Sequence, residues 1–282
     1  MSVITLRAGD VRLELDEERG ARISSMTIAD RAMILGPPND SDVGIRWGSY
    51  LMAPWAGRIR GGLLDWDGTS YQLPQRDGEN AIHGLVYERR WQVVEATADA
   101  VELATSLAEA GWPFGGDIRQ RLELTADSLV TSARLRTDRR SPVVMGWHPW
   151  FLRGGDDPRV TVSGSETLET LDLIPTGKRL PVDPVTDLRA GPAIGDRELD
   201  TFYPDVTSPA TVRWTDLELS IEFGPPLQTV VVFTGDPRTV CVEPQTGWPN
   251  APALALAGVP GTGLATLSPG EEFAASMTWR WR

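Results

Sequence analysis

Short runs in which apolar and polar residues alternate one by one dominate this chain. Two of the clearest, 117–124 and 129–135, are separated by the Thr-Ala-Asp-Ser segment 125–128. Side chains along a β-strand point to opposite faces in turn, so a period of two predicts strands with one buried and one solvated face. The four residues between these runs predict a hairpin turn. Similar alternation recurs along the chain, at 11–15, 211–214, 217–223 and 273–281.

Helical spacing is almost absent, and the 28 glycines and 22 prolines fall largely between the alternating runs. This distribution is typical of many short strands joined by tight turns. An Asp-Gly pair at 67–68 predicts a second hairpin, and the Pro- and Gly-rich stretch from Thr176 to Asp196 predicts a long surface loop. We therefore expect one all-β domain over residues 1–282, a large antiparallel β-sandwich whose two sheets pack face to face.

The charge balance excludes several classes of partner. The formal net charge is -12 and the isoelectric point is about 4.7. Nucleic acids and anionic membranes both bind clustered Lys and Arg, so neither partner is expected.

No run approaches 18 apolar residues and the first residues do not resemble a signal peptide, so we expect a cytoplasmic protein. The one cysteine, Cys241, lies in an apolar run and is expected to be a small buried hydrophobe.

Only two histidines occur, and each lies in a segment rich in Gly, Pro or Trp. His83 is in Asn-Ala-Ile-His-Gly, and His148 is in Gly-Trp-His-Pro-Trp-Phe. An imidazole can both give and take a proton near neutral pH, so the two invite an acid–base interpretation. Pro149 favours an extended backbone at His148. Flanking rings would lower the pKa of that imidazole and a nearby carboxylate would raise it. A hydrogen-bonded core histidine is the alternative interpretation of His83.

Glu243 and Arg58 are the strongest charged candidates. Glu243 ends an apolar run and is followed by proline, and a carboxylate emerging from a buried strand is costly unless it is paired or functional. It is therefore the best candidate for a base, the alternative being a strand-end glutamate bonded to backbone amides. Arg58 lies beside glycine in an apolar segment, where its fork of donors could hold hydroxyl groups. The alternative is a surface ion pair.

The sequence predicts neither a metal nor a cofactor. Two histidines without Cys partners or a His-Glu-x-x-His spacing are a weak ligand set. Phosphate-binding glycine loops and a Gly-x-Ser-x-Gly nucleophile motif are absent. The eleven tryptophans suit either sugar stacking or a bulky core.

Taken in order, these segments resemble the aldose 1-epimerase (galactose mutarotase) family. Each segment is a weak signal alone, but the six occur in the family's order over nearly the whole chain. The resemblance implies a galactose mutarotase-like supersandwich with its active site in an open cleft on one sheet. The segments are 53–59 (APWAGRI), 71–73 (YQL), 80–84 (NAIHG), 146–151 (GWHPWF), 199–203 (LDTFY) and 242–251 (VEPQTGWPNA).

The resemblance also implies an isomerase that interconverts the α and β anomers of a free aldose without a cofactor. Glu243 would remove the proton from the C1 hydroxyl, and His148 would protonate the ring oxygen from the other side of the hemiacetal. His83 would hydrogen-bond close to both atoms. Positioned proton transfer of this kind contributes typically ~10²–10⁴-fold per group. The residues expected to contact the sugar or shape its pocket are Arg58, Asp200, Asn80 and Trp147.

Three other functions stay open at this point. The segment 146–151 departs from the Asn-His-x-x-Phe form of the best-known galactose mutarotases, so the sugar is not fixed. A hexose 6-phosphate 1-epimerase would need further arginines, and Arg60, Arg76, Arg89 and Arg90 are available. A non-catalytic carbohydrate-binding sandwich would use the tryptophans and Arg58 alone, and a metal-dependent isomerase or hydrolase has no support in the spacing. A monomer or homodimer is expected.

Overall fold

Strands account for most of the regular structure in the computed structural model, which describes residues 3–37, 44–155 and 157–282. The all-β prediction is confirmed. In the first half of the chain the strands are β1 (Val3–Ala8), β2 (Val11–Asp16), β3 (Arg22–Ile28), β4 (Arg31–Ala32), β5 (Ser49–Met52), β6 (Arg58–Ile59), β7 (Leu63–Trp66), β8 (Thr69–Gln72), β9 (Ala81–Ile82), β10 (Gln92–Ala96), β11 (Ala100–Ser106), β12 (Asp117–Leu124) and β13 (Ser128–Arg136).

The second half continues in the same manner. One short helix, α1 (Ala251–Leu256), and one 3-10 turn, Arg60–Gly62, interrupt the strands within the described ranges. No helix there is long and apolar enough to span a membrane. The remaining strands are β14 (Ser141–Val143), β15 (Gly146–Pro149), β16 (Phe151–Leu152), β17 (Arg159–Thr161), β18 (Glu166–Leu171), β19 (Ile174–Pro181), β20 (Asp200–Tyr203), β21 (Ala210–Arg213), β22 (Glu218–Phe223), β23 (Thr229–Phe233), β24 (Thr239–Gln245), β25 (Ala265–Leu267) and β26 (Glu272–Trp281).

Two large antiparallel sheets organise these strands, as the sandwich prediction requires. Within the described residues the larger sheet has ten strands, in the order β1-β2-β3-β5-β15-β24-β23-β20, with β4 paired to β3 and β16 to β24. The second has eight, in the order β10-β11-β12-β13-β26-β22-β21-β17. Four small pairs complete the fold: β14 with β25, β18 with β19, β6 with β9, and β7 with β8.

The main core lies between the two large sheets. Leu51 and Val242 of the ten-stranded sheet belong to the same buried cluster as Leu122 and Trp279 of the eight-stranded sheet. On β12 the burial pattern alternates residue by residue, which is the period-two pattern read from the sequence. Burial of apolar surface from both sheets stabilises the sandwich by roughly 25 cal/mol for each Å² removed from water.

Local predictions fared differently. The hairpin at 125–128 is confirmed, with the Thr125 amide donating to the Ser128 carbonyl at 2.8 Å. The Asp67-Gly68 turn is also confirmed, because both residues have the positive φ that a tight hairpin turn needs. The predicted loop from Thr176 to Asp196 is wrong at its start, where β19 pairs with β18 over residues 174–181. Cross-strand hydrogen bonds override the Gly and Pro content there.

The central strand β24 is buried on both faces. Val240 and Val242 point into the core between the sheets, whereas Cys241 belongs to a separate cluster on the other face. The prediction that Cys241 is a buried small hydrophobe is confirmed, since its exposure is 0%. Glu243 has the same parity as Cys241, so it also points away from the inter-sheet core.

Candidate active site

Adjacent strands of the ten-stranded sheet bring His148 and Glu243 together. Gly146 on β15 lies opposite Gln245 on β24. Because the strands are antiparallel, His148, two residues after Gly146, lies opposite Glu243, two residues before Gln245. The Nε2 atom of His148 is 3.3 Å from Oε1 of Glu243, and the residues are 5% and 2% exposed. The prediction from the sequence put the two groups on opposite sides of a sugar, whereas in the structure they are in direct contact.

A small sheet supplies Arg58 and His83. Arg58 on β6 pairs with Ile82 on β9, and the amide of His83 donates to the Gly57 carbonyl at 3.0 Å. His83 has a φ of 57°, a left-handed conformation that is uncommon outside glycine and that clusters at functional sites. Its ring centroid is 5.1 Å from that of His148, and the two rings are perpendicular. The backbone therefore holds the two imidazoles edge to face.

Two aspartates neutralise Arg58. Its Nε donates to Oδ2 of Asp77 at 2.6 Å, and its Nη1 is 3.7 Å from Oδ2 of Asp200. Asp200 begins the edge strand β20, opposite Phe233 on β23. Burial raises the pKa of the Asp200 carboxyl, and the charge of Arg58 opposes that shift. Carboxylates therefore hold the arginine in place. Both the guanidinium and the carboxylates can bind hydroxyl groups.

These side chains line one cavity of about 100 Å³ on the outer face of the ten-stranded sheet. Five of the residues expected from the sequence lie in its wall, namely Arg58, His83, His148, Asp200 and Glu243. Part of the wall is apolar. The other lining residues are Ile45, Arg46, Gly57, Asp77, Ile82, Trp150, Phe202, Val231, Phe233 and Gln245.

Trp147 does not line this cavity, which corrects the sequence-based assignment of this residue to the sugar pocket. Neighbouring residues of a strand point to opposite faces, so Trp147 points away from His148 and into the inter-sheet core. Its Nε1 donates to Oε1 of Gln120, on the opposing sheet, at 3.2 Å. Trp150 is the tryptophan that lines the cavity among the described residues. Most of the other indoles are buried, which favours the bulky-core interpretation of the tryptophan content.

Asn80 also lies outside the cavity wall. Its Oδ1 accepts a hydrogen bond from the amide of Gly61 at 3.1 Å, and its backbone closes a turn with Asp77. The side chain therefore ties the turn before His83 to the 3-10 turn after β6. This hydrogen bond gives Asn80 a structural role beside the site, and the expected contact between Asn80 and the sugar stays a prediction.

Burial shifts the pKa values of His148 and Glu243 in opposite directions. Desolvation, helped by the charge of Asp200, raises the pKa of Glu243 well above its usual value. Desolvation lowers the pKa of His148 to about 3 and that of His83 well below its usual value. Both shifts follow from the cost of placing a charge in a medium of low dielectric. These directions favour a neutral pair in which the shared proton lies on Glu243.

Aromatic rings fix the plane of the His148 imidazole. It is stacked between Trp150, with ring centroids 5.1 Å apart at 11°, and Tyr50, at 5.2 Å and 26°. The guanidinium of Arg22 lies 4.8 Å from the centroid of the Tyr50 ring. This arginine is 1% exposed and donates to the carbonyls of three residues, Arg19, Trp47 and Tyr87. Its positive charge contributes to the lowered pKa of His148.

Gln245 contacts Glu243 directly and is not among the site residues predicted from the sequence. Its Nε2 donates to Oε2 of Glu243 at 3.3 Å, and its Oε1 is buried without a hydrogen-bond partner among the described residues. Nδ1 of His83 and of His148 are buried and unpartnered in the same way. Strand parity was the available signal, since Gln245 lies two residues after Glu243 and hence on the same face. The amide oxygen can therefore accept a hydrogen bond from a ligand hydroxyl.

The four arginines considered for a phosphate group are engaged elsewhere. Arg60 lies 3.9 Å from Asp172, Arg89 lies 4.0 Å from Glu109, and Arg90 lies 3.3 Å from Glu18. Arg76 pairs with Glu88. None of the four lines the cavity, and Arg46 is the additional arginine that does.

One group among the described residues is compact enough to hold a metal ion. One ligand atom each from His148, Cys241 and Glu243 lie within 4.8 Å of one another. Two of the three are the central acid–base pair, and the third lies beneath them on β24.

Comparison with known proteins agrees with the fold and with the family that the sequence resembles. The family model for aldose 1-epimerases matches residues 3–280. A provisionally assigned aldose 1-epimerase from Escherichia coli K12 superposes with a TM-score of 0.87 at 21% identity, covering 100% of this chain and 99% of that chain. A galactose 1-epimerase from Lactobacillus acidophilus NCFM gives 0.82 at 19%, covering 99% and 94%. The uncharacterized protein YphB of E. coli K12 is 26% identical over 155 residues, which are 54% of this chain and about half (52%) of that relative.

Proposed function

This chain belongs to the aldose 1-epimerase family, and we propose that it interconverts the α and β anomers of a free aldose without a cofactor. The observation that carries the proposal is the contact between His148 and Glu243, 3.3 Å apart in the wall of one cavity. The two oxygens that exchange protons in anomerisation are both bonded to C1, so an acid and a base that serve them must lie within a few ångströms of each other. A buried, adjacent imidazole and carboxyl meet that requirement.

Charge in the cavity supports a neutral sugar. Arg58 is balanced by Asp77 and Asp200, so this arginine offers a substrate no excess positive charge. Its remaining donors and the aspartate oxygens are suited to binding adjacent hydroxyls. The apolar wall formed by residues such as Phe233 and Trp150 suits the C–H face of a pyranose. Arg46 is the exception, and the experiment below includes a phosphorylated sugar for that reason.

Proton transfer within the pair would prepare both catalysts at once. The raised pKa of Glu243 and the lowered pKa of His148 favour a proton on Glu243 and a neutral His148. Passing that proton along the 3.3 Å contact gives a carboxylate and an imidazolium, with no exchange with solvent. Hydroxyl groups of a bound sugar favour this ion pair because hydrogen bonds to the charged forms stabilise them.

Ring opening then follows with atoms and electrons in balance. The Glu243 carboxylate takes the C1 hydroxyl proton, the O1–H electron pair forms the carbonyl, and the C1–O5 bond breaks. O5 receives the imidazolium proton from His148. The open aldehyde rotates about C1–C2, and closure on its other face returns the O5 proton to His148 and the carboxyl proton to O1. Each group acts as acid in one direction and as base in the other.

Neighbouring residues would orient the sugar and the pair. His83, held edge to face against His148, would hydrogen-bond near the ring oxygen and C1. Arg58 and Asp200 would hold hydroxyls distant from C1. Gln245 would hold the Glu243 carboxyl through its amide and accept a sugar hydroxyl at Oε1.

Exchange measurements on fresh sugars test this function. Polarimetry of α-D-glucose and α-D-galactose, with a wider panel of aldoses by exchange NMR, should reveal acceleration by the wild type. Glu243→Gln should reduce kcat/KM by about 10²–10⁴-fold, while Glu169→Gln in the β18–β19 hairpin, outside the cavity wall, should not. Equal rates for wild type and Glu243→Gln on every aldose would refute the proposal.

The same samples distinguish the alternatives. Faster exchange of glucose 6-phosphate than of glucose, lost in Arg46→Met, would identify a hexose 6-phosphate 1-epimerase instead. Sugar binding that persists in Glu243→Gln and His148→Asn, with no exchange in the wild type, would identify a non-catalytic binding protein.

A further inference from the structure

Cys241 has no role in the proposed reaction, yet its thiol lies directly under the acid–base pair. It is 0% exposed, on the same face of β24 as Glu243 and two residues before it. Its sulfur lies within 4.8 Å of a ring nitrogen of His148 and a carboxylate oxygen of Glu243. In the part of the chain that the structure describes, this is the one group of three such ligands at that spacing.

One of the three ligand separations matches that of a tetrahedral zinc site, and the two to sulfur are 4.8 Å or less. With metal bonds of roughly 2.0–2.3 Å to N, O and S, tetrahedral angles separate N from O by about 3.3 Å and N from S by about 3.6 Å. The His148–Glu243 separation is already 3.3 Å. If the sulfur moved by about 1 Å, the three side chains would occupy three of the four tetrahedral positions around the metal. The fourth position would face the cavity, where a water or a sugar oxygen can lie.

Charge balance favours the same ligand. A divalent cation with one thiolate, one carboxylate and one neutral imidazole has no net charge, which a buried site requires. A metal binds thiolate and carboxylate, so its binding would release protons. The combination of sulfur, nitrogen and oxygen selects zinc or cadmium over magnesium, which requires six oxygen ligands.

We propose that His148, Cys241 and Glu243 form an inhibitory site for a thiophilic divalent cation of the zinc class. The cation takes no part in the reaction. It occupies both groups that must exchange protons with the sugar, so metal and substrate exclude each other. This inference concerns the same pocket as the proposed function, but metal binding is measurable whether or not the protein anomerises a sugar.

Cobalt and zinc binding test the site. Co²⁺ added to the wild-type protein should give the visible and near-ultraviolet bands of a tetrahedral thiolate complex, and Zn²⁺ should displace it. Cys241→Ala should abolish the thiolate band and weaken Zn²⁺ binding about 100-fold or more, since changes one shell further out already cost 10–100-fold. Val240→Ala is the matched control, because that side chain lies on the same strand but in the inter-sheet core. Mg²⁺ should not bind.

Several outcomes would overturn the inference. They are the absence of a thiolate band in the wild type, Zn²⁺ affinity unchanged in Cys241→Ala, or equal loss in Val240→Ala. If the protein accelerates mutarotation, Zn²⁺ should inhibit it reversibly and competitively with sugar, and each variant is compared with its own zinc-free rate. Cys241-dependent metal binding without any mutarotation would refute the proposed function and leave this inference standing.

Discussion

At the scale of single residues, the burial of Glu243 has a consequence for stability. Its pKa is raised well above the usual value by desolvation, so the folded state keeps a proton that the unfolded chain has lost. The contribution of this proton to the free energy of unfolding is fully present below the pKa of the unfolded chain, near 4.5. It is lost as the pH rises toward the pKa of the folded state. The protein therefore loses stability with rising pH on account of this one group.

Glu243→Gln should remove that pH dependence, because an amide has no proton to keep. Relative to the variant, the wild type should lose about 1.4 kcal/mol of unfolding free energy for each pH unit within this window. Urea denaturation from pH 5 to 8 measures the difference. Parallel curves for wild type and variant would mean that Glu243 ionises as an exposed glutamate does.

Glu169→Gln provides a control of opposite sign. Hydrogen bonds from Lys178 and Thr176 lower the pKa of the exposed Glu169 carboxyl. A lowered pKa contributes stability above the unfolded value and loses it only as the pH falls below. The difference between wild type and Glu169→Gln should therefore be constant from pH 5 to 8.

Among the structural elements, the segment that carries His83 depends on a close backbone approach. Gly84 has a φ of 80°, and a Cβ there would lie 2.0 Å from the carbonyl oxygen of Ala53. The amide of Leu85 donates to that same carbonyl at 2.8 Å. Packing at Gly84 thus sets the position of the preceding imidazole against β5 and β15.

Gly84→Ala should destabilise the fold by about 3 kcal/mol or more, combining left-handed strain with overpacking, and should reduce mutarotation per folded molecule. Gly68→Ala is a matched control. Gly68 has a φ of 77° in the β7–β8 turn, with nothing within 4 Å of a built Cβ. Left-handed strain alone should lower the stability of Gly68→Ala by about 1–2 kcal/mol, and its mutarotation activity should be unchanged. Thermal unfolding and polarimetry measure both, and equal effects would show that backbone contact at Gly84 is unimportant.

Period-two alternation was sufficient to predict the sandwich and several strands, because one-sided burial leaves a direct imprint on sequence. The same parity places Cys241, Glu243 and Gln245 on one face. It also argues against a place for Trp147 in the sugar pocket, because Trp147 has the opposite parity to His148. The role of Arg22 has no comparable signal, since its contacts depend on loops that meet only in the folded chain. Asn80 was assigned by motif, and its actual partner, the Gly61 amide, is set by local turn geometry.

At the scale of the whole molecule, the ten-stranded sheet has two functions on its two faces. One face packs on the eight-stranded sheet and carries Trp147. The other holds the cavity, with Trp150 stacked on His148 and its Nε1 donating to the Ile45 carbonyl at 3.0 Å. The family match covers residues 3–280, and the single-domain interpretation of the whole chain stays a prediction.

Two Phe substitutions should separate these faces. Trp147→Phe removes the donor to Gln120 and leaves that buried amide oxygen unpaired, which should cost about 1–3 kcal/mol of stability without changing kcat or KM. Trp150→Phe keeps an aromatic ring beside His148 but loses the bond to the loop at Ile45, so it should impair mutarotation more than stability. Denaturation and initial rates on the same preparations test the pair. A loss of activity in Trp147→Phe as large as in Trp150→Phe would mean that the inter-sheet core, and not the cavity wall alone, positions the catalytic imidazole.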